Sequence, residues 1–200
     1  KYNGAICCQE MQNSATPLND CMYSADDVPM NKPYLEGSVF FEFSCFGYGT
    51  PKRSDYHHWM RDTSLNANKD FISALPKKLI AHPHGPIGFF GHVDTAWLHG
   101  FADPKDPYIL ERWHSRIAPF RKAVDEILKT QTLGLVLDTM NENYGIGNAM
   151  IASAYDRFRS GHEIMTPEKS ERLVEFWITR SDAQNYMLFG DPGTYVRIPK

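Results

Sequence analysis

The stretch Glu36–Pro51, EGSVFFEFSCFGYGTP, constrains this chain more than any other. From Val39 to Phe43, β-branched and aromatic residues follow one another in a run too short for a helix, which predicts a buried strand. The run stops at Ser44 and Cys45, and Gly47 and Gly49 follow. A cysteine is thereby expected where a strand ends, and open α/β sheets bind ligands in the crevice beyond the carboxyl ends of their strands. Gly47 and Gly49 are expected to take positive φ, turning the backbone sharply and leaving room for a substrate to reach the sulfur. The same pattern fits Cys45 as a small buried hydrophobe, the commoner fate of a free cysteine. Periodicity leaves both readings open.

A second apolar run, Pro86–Val93 (PIGFFGHV), ends in His92, Asp94, Thr95 and Trp97. Between the two runs FISALPKKLI places Phe71, Leu75 and Leu79 on one helical face, with Asp70 as its N-cap and a kink expected at Pro76. Strand, helix and strand in this order predict a parallel pair joined by a crossover, which brings Cys45 and His92 to the same edge of the sheet. A thiol and an imidazole there form a candidate nucleophile and base, with Asp94 beside them; a histidine that bonds the backbone is the plainer alternative. Trp97 is a candidate wall of the same pocket, or plain packing.

The remaining chain reads as cover for that sheet. SRIAPFRKAVDEILK and the segment from Leu133 to Phe158 carry helical stripes, the second broken near Gly145 and Gly147. Thr166 and Pro167 open another helix, and NYMLFGDPGTYVRI closes the chain as a strand, a Gly-Asp-Pro turn and a second extended piece. Near the start, Ala5–Cys8 suits an edge strand. Asp26 and Asp27 sit in a loop ahead of Val39, either as a solvated turn or helix cap or as a site for a basic substrate side chain. The segment from Lys52 to Lys69 has no period, and long loops of that kind are more often functional than idle.

Composition removes several classes. At 200 residues the chain suffices for a single domain, and its net charge of -3 is spread without a basic face, so nothing argues for nucleic acid. No run is apolar and long enough to suggest a membrane span. The four cysteines predict reduced thiols and a cytoplasmic protein, since adjacent residues such as Cys7 and Cys8 rarely pair. The histidines His57 and His58, or His82 and His84, lack the spacing that presents two metal ligands together, so no metal is expected. The glycines of GYGTP lack the lysine and the helix of a phosphate loop. The first residue is not methionine, which predicts a processed product or an excised fragment.

FFEFSCFGYGTP, ALPKKLIAHPHGPIGFFGHVDTAW and NYMLFGDPGTYVRI, in this order, resemble the caspase-like cysteine peptidases of clan CD, nearest the gingipain-like peptidases and the CHAT domains. The resemblance covers most of the chain. It implies an α/β fold of three αβα layers around a mostly parallel central sheet, residues 1–200 forming one peptidase domain. It also implies a nucleophilic cysteine at Cys45, a histidine that manages the proton, and no cofactor. Gly47, Asp94 and Trp97 would then border the substrate, while Asp26 and Asp27 would select a basic residue before the scissile bond. The chain departs from the family at the histidine, which there follows a strand upstream of the cysteine; here no histidine precedes His57. One expectation is that the chain is the C-terminal part of a longer precursor, with an N-terminal fragment as the partner carrying the catalytic histidine. Others are that His92 serves, in a peptidase or in a thiol hydrolase using Cys45, His92 and Asp94, or that the chain is a non-catalytic binding module.

Overall fold

In the computed structural model, residues 2–8, 17–59, 65–97 and 110–198 are described. Their centre is a sheet ordered β3–β6–β7, formed by β3 (Val39–Phe41), β6 (Gly88–His92) and β7 (Tyr186–Gly190). β3 runs parallel to β6, with Phe40 opposite Phe89 and Phe41 opposite Phe90. β7 runs antiparallel to β6, with His92 opposite Tyr186. The chain is therefore mixed α/β, and the described central sheet is itself mixed rather than mostly parallel. The antiparallel partner is the closing strand, which follows a helix whose end delivers it from the other direction.

Both faces of this sheet are covered, which is why its strands read as unbroken apolar runs rather than as an alternation. On one face Phe89 packs with Leu75 and Leu79 of α1 (Ala74–Ile80) and with Val28, and Phe40 lies against them. On the other face Phe90 packs with Ala123 of α2 (Leu110–Leu128) and with Leu133 and Val136 of α3 (Leu133–Arg159). Phe40 stacks on Phe89 at 5.1 Å and Phe41 on Phe90 at 5.8 Å, cross-strand pairs that hold β3 in register.

Two small antiparallel ribbons flank the sheet. β1 (Ile6–Cys7) pairs with β2 (Met22–Tyr23), and β4 (Gly49–Thr50) pairs with β5 (Phe71–Ile72). The second ribbon corrects the expected helix start. Phe71 and Ile72 are extended, Ser73 is the N-cap, and Asp70 instead accepts a hydrogen bond from the Lys52 N–H at 2.7 Å. Pro76 becomes the third helical residue, where a helix has no use for its N–H, so no kink arises from a lost hydrogen bond.

α3 is continuous through Gly145 and Gly147. The expected break is a crossing point: a Cβ on Gly147 would lie 2.6 Å from the Cβ of Arg180, so glycine lets α4 (Pro167–Gln184) approach. Thr166 caps α4 through Lys169 N–H, with Pro167 at the first position, as its sequence implies. After β7 the Gly-Asp-Pro turn folds onto the start of α3, where the carbonyls of Pro192 and Thr194 accept the Gly134 and Leu133 N–H groups. Among the described residues no helix is long and apolar enough to cross a membrane.

Candidate active site at the end of the central strand

Beyond Phe41 the chain keeps its parallel course for one more bond, Glu42 N–H to Phe90 carbonyl at 2.8 Å, and then leaves the sheet. It returns in the opposite direction. Phe46 N–H bonds the Asp94 carbonyl at 3.0 Å and Tyr48 N–H bonds that of His92 at 3.1 Å, so residues 46–48 take the place of β3 beside the end of β6. Cys45 sits in the reversal between these two courses.

That reversal needs a left-handed residue, and it is Phe46, with φ of 59°, rather than Gly47 or Gly49. A bulky residue there costs about 1 kcal/mol or more and persists only where its surroundings hold it. Here the Phe46 amide is held by Asp94, and its carbonyl accepts the Ser73 hydroxyl at 3.0 Å. Gly47 serves a different need. A Cβ on it would lie 2.6 Å from Ser44 Oγ and 2.8 Å from the Glu42 carboxyl carbon, so glycine leaves the slot that these two side chains fill.

The Cys45 thiol is exposed, and its Sγ lies 3.5 Å from the Ala96 carbonyl, to which the S–H donates. It borders a cavity of about 620 Å³ lined also by Glu42, Ser44, Cys7, Thr50 and Asn66. Glu42 accepts the Ser44 hydroxyl through Oε1, while its Oε2 is sealed from solvent and has no partner among the described residues. Burial raises the Glu42 pKa above the usual carboxylate range, against a smaller lowering by Ser44. Glu42 escaped the sequence reading. Its one signal was being the only charged residue in the Val39–Phe43 run.

His92 stands at the same end of the sheet but is completely buried. Its Nδ1 lies 2.8 Å from the Asp94 carbonyl, and its Nε2 lies 3.2 Å from the Asp182 carbonyl and 3.3 Å from Asp182 Oδ1. Tyr186 packs edge-on against the ring at 5.0 Å. Both nitrogens thus face oxygens of the protein interior rather than the thiol. Asp94 is also committed, since its carboxylate accepts the Thr95 N–H at 2.7 Å and the Asp55 N–H at 2.8 Å. This fastens the segment after Pro51 to the strand end.

Trp97 donates its backbone N–H to Asp182 at 3.1 Å and sets its ring against Tyr56 at 5.4 Å. Tyr56 in turn meets Trp177, which lies against Trp59, so Trp97 belongs to an aromatic cluster away from the lining of the thiol cleft. Desolvation, then the nearby carboxylates of Asp182, Asp94 and Asp55, drive the Tyr56 pKa far above its ordinary value. Asp26 and Asp27 lie in a short 3-10 turn, Ala25–Asp27, with Asp27 accepting the Ser24 N–H and hydroxyl at 2.7 and 2.8 Å as a capping box. Neither borders the cleft. The structure therefore groups Cys45 and Gly47 with Glu42, while His92 and Asp94 are buried outside that lining and half-buried Trp97 belongs to the aromatic cluster.

Among the described residues no three His, Cys, Asp or Glu side chains are placed to hold a metal ion. His82 bonds the Pro29 carbonyl, His84 bonds Glu36, and His57 and His58 lie ring to ring at 3.7 Å. Compared with known protein families, curated proteins and solved structures, the chain matches none.

Proposed function

We propose that this chain is a cysteine endopeptidase domain of the caspase-like class, near its gingipain-like and CHAT branches, with Cys45 as the nucleophile. The observation that carries this reading is the exposed Cys45 thiol at the carboxyl end of β3, bordering a cleft and followed by a residue held at positive φ. Backbone strain of that kind clusters at functional sites. Helices on both faces of the sheet are compatible with the three αβα layers of that class.

The Cys45 thiolate attacks the scissile carbonyl carbon, and the carbon–oxygen π electrons move onto the oxygen, where backbone N–H groups of the cysteine loop hold them. Collapse breaks the C–N bond, the amine leaves with a proton, and water then hydrolyses the thioester. Gly47 keeps the cleft beside the sulfur open. Glu42, rather than Asp26 or Asp27, meets a basic side chain before the scissile bond, because it is the carboxyl residue that borders the cleft beside the thiol.

The proton is managed by a histidine on a second polypeptide of the same precursor, since His92 is spent on internal oxygens. The outer edge of β3, which carries no strand among the described residues, offers that polypeptide a place to pair. The enclosure of His92 favours one other reading, a caspase-like binding module without turnover. Fluorogenic peptides ending in arginine, lysine or glutamine before the reporter separate the two. Hydrolysis of the basic peptides that Cys45→Ser abolishes supports the peptidase, and no hydrolysis by the chain with its co-purifying polypeptides supports the module.

A further inference from the structure

Beside the crossing of α3 and α4 lies a second cavity, of about 480 Å³, closed by α2 and β7 and remote from the lining of the thiol cleft. Phe120, Met140, Met150 and Phe176 belong to its apolar wall. Two rings and two flexible thioethers make a surface that adapts to a small apolar body, and the volume falls in the range of small-molecule sites.

Its polar groups are uneven in sign. Arg180 is already committed: its Nε donates to Asn148 at 2.9 Å, its Nη1 to Ser181 at 3.2 Å, and its guanidinium stands over the Tyr144 ring at 4.9 Å. Asp182 receives the Trp97 N–H. Glu175, Thr179 and Asn143 also line the cavity, and none of their side chains has an ion-pair or hydrogen-bond partner among the described residues. Glu175 and Thr179 are four residues apart on α4, hence on one face, with Asn143 on α3 facing the same space. One carboxylate, one hydroxyl and one amide carbonyl offer three acceptors, and a primary ammonium has three donors.

We infer that this cavity is a binding site for a small arylalkylamine, with the ring among Phe120, Met140 and Phe176 and the ammonium against Glu175, Thr179 and Asn143. A carboxylate in place of the amine would meet Glu175 and Asp182 as like charges, two carboxylates against the one cation, Arg180, in the lining. An uncharged alcohol of the same shape would keep the apolar contact and lose the ion pair.

Protein-detected NMR titration with phenethylamine, 2-phenylethanol and 3-phenylpropionate tests this directly on the whole chain. The expected result is that phenethylamine shifts the backbone amides around Gly147 and Thr179 and binds about tenfold more tightly than 2-phenylethanol, with 3-phenylpropionate weakest. In Glu175→Gln the amine should lose that preference to within about twofold while the alcohol binds as before. Thr179→Val should weaken the amine by a smaller factor. Equal binding of amine and alcohol, no shift with the amine, or an unchanged preference in Glu175→Gln would overturn the assignment.

Discussion

The Ser73 hydroxyl donates to the Phe46 carbonyl at 3.0 Å, tying the N-cap of α1 to the strained residue that follows Cys45. Ser73 is completely buried, and its own N–H bonds the Tyr48 carbonyl at 2.9 Å. One residue thus fastens both ends of the segment that carries the chain back from the thiol. Its hydroxyl supports that turn in place of capping the helix.

Ser73→Ala should therefore destabilise the chain by about 1–2 kcal/mol, because it strands a carbonyl acceptor. Hydrogen exchange should rise first at residues 44–48, ahead of global opening. Uniform loss of protection, or none, would contradict this placement.

Gly47→Ala forces a methyl against Ser44 and the Glu42 carboxyl, at 2.6 and 2.8 Å before relaxation. The expected cost is about 1–3 kcal/mol, read from denaturant unfolding. A variant as stable as the parent would show that the slot gives way freely.

Burial raises the Glu42 pKa, so the folded state holds its proton more tightly than the unfolded chain does. Between the unfolded value, near 4.3, and the raised folded value, the native state binds more protons, and stability falls as pH rises. Glu42→Gln removes that dependence. The variant should gain stability relative to the parent between pH 4 and neutrality, as followed by unfolding at each pH. A constant difference would mean that Glu42 is not desolvated in solution.

Replacing His92 separates a structural from a chemical role. His92→Ala opens a buried cavity and removes partners from Asp94 and Asp182, so stability should fall by about 2–4 kcal/mol. Iodoacetamide should then alkylate Cys45 at a rate within about twofold of the parent, measured below the unfolding transition. A fall of more than about tenfold in a folded variant would return His92 to the role of base.

The elements that sequence read well were those with strong periodicity or local chemistry. Phe89 and Phe90 face opposite helical layers, which makes the strand an unbroken apolar run, and Thr166 with Pro167 marks the start of α4 on its own. What sequence missed depended on distant partners. Ser73 outcompeted Asp70 as the cap because residues 71 and 72 find a ribbon partner at 49 and 50. Gly147 resembles a helix breaker until Arg180 is set against it. At the site, the strand end and its cysteine were legible, but the direction of each side chain was not. His92 and Cys45 share an edge as the crossover predicts, yet the imidazole turns inward to Asp182, 90 residues away in sequence. Glu42 gave only the faint signal of a charge in an apolar strand.

Labelling reads the reactivity of the Cys45 thiol. The chain, with any polypeptide that purifies beside it, is treated with a peptidyl electrophile ending in arginine and, in parallel, with iodoacetamide, and the modified residues are read by mass spectrometry. Cys7 is the internal control, because it is exposed and borders the same cleft. The peptidyl reagent is expected to modify Cys45 selectively and Glu42→Gln to slow it, while iodoacetamide shows no such dependence. Modification of Cys45 no faster than that of Cys7 would contradict the peptidase reading and leave the fold as a binding module.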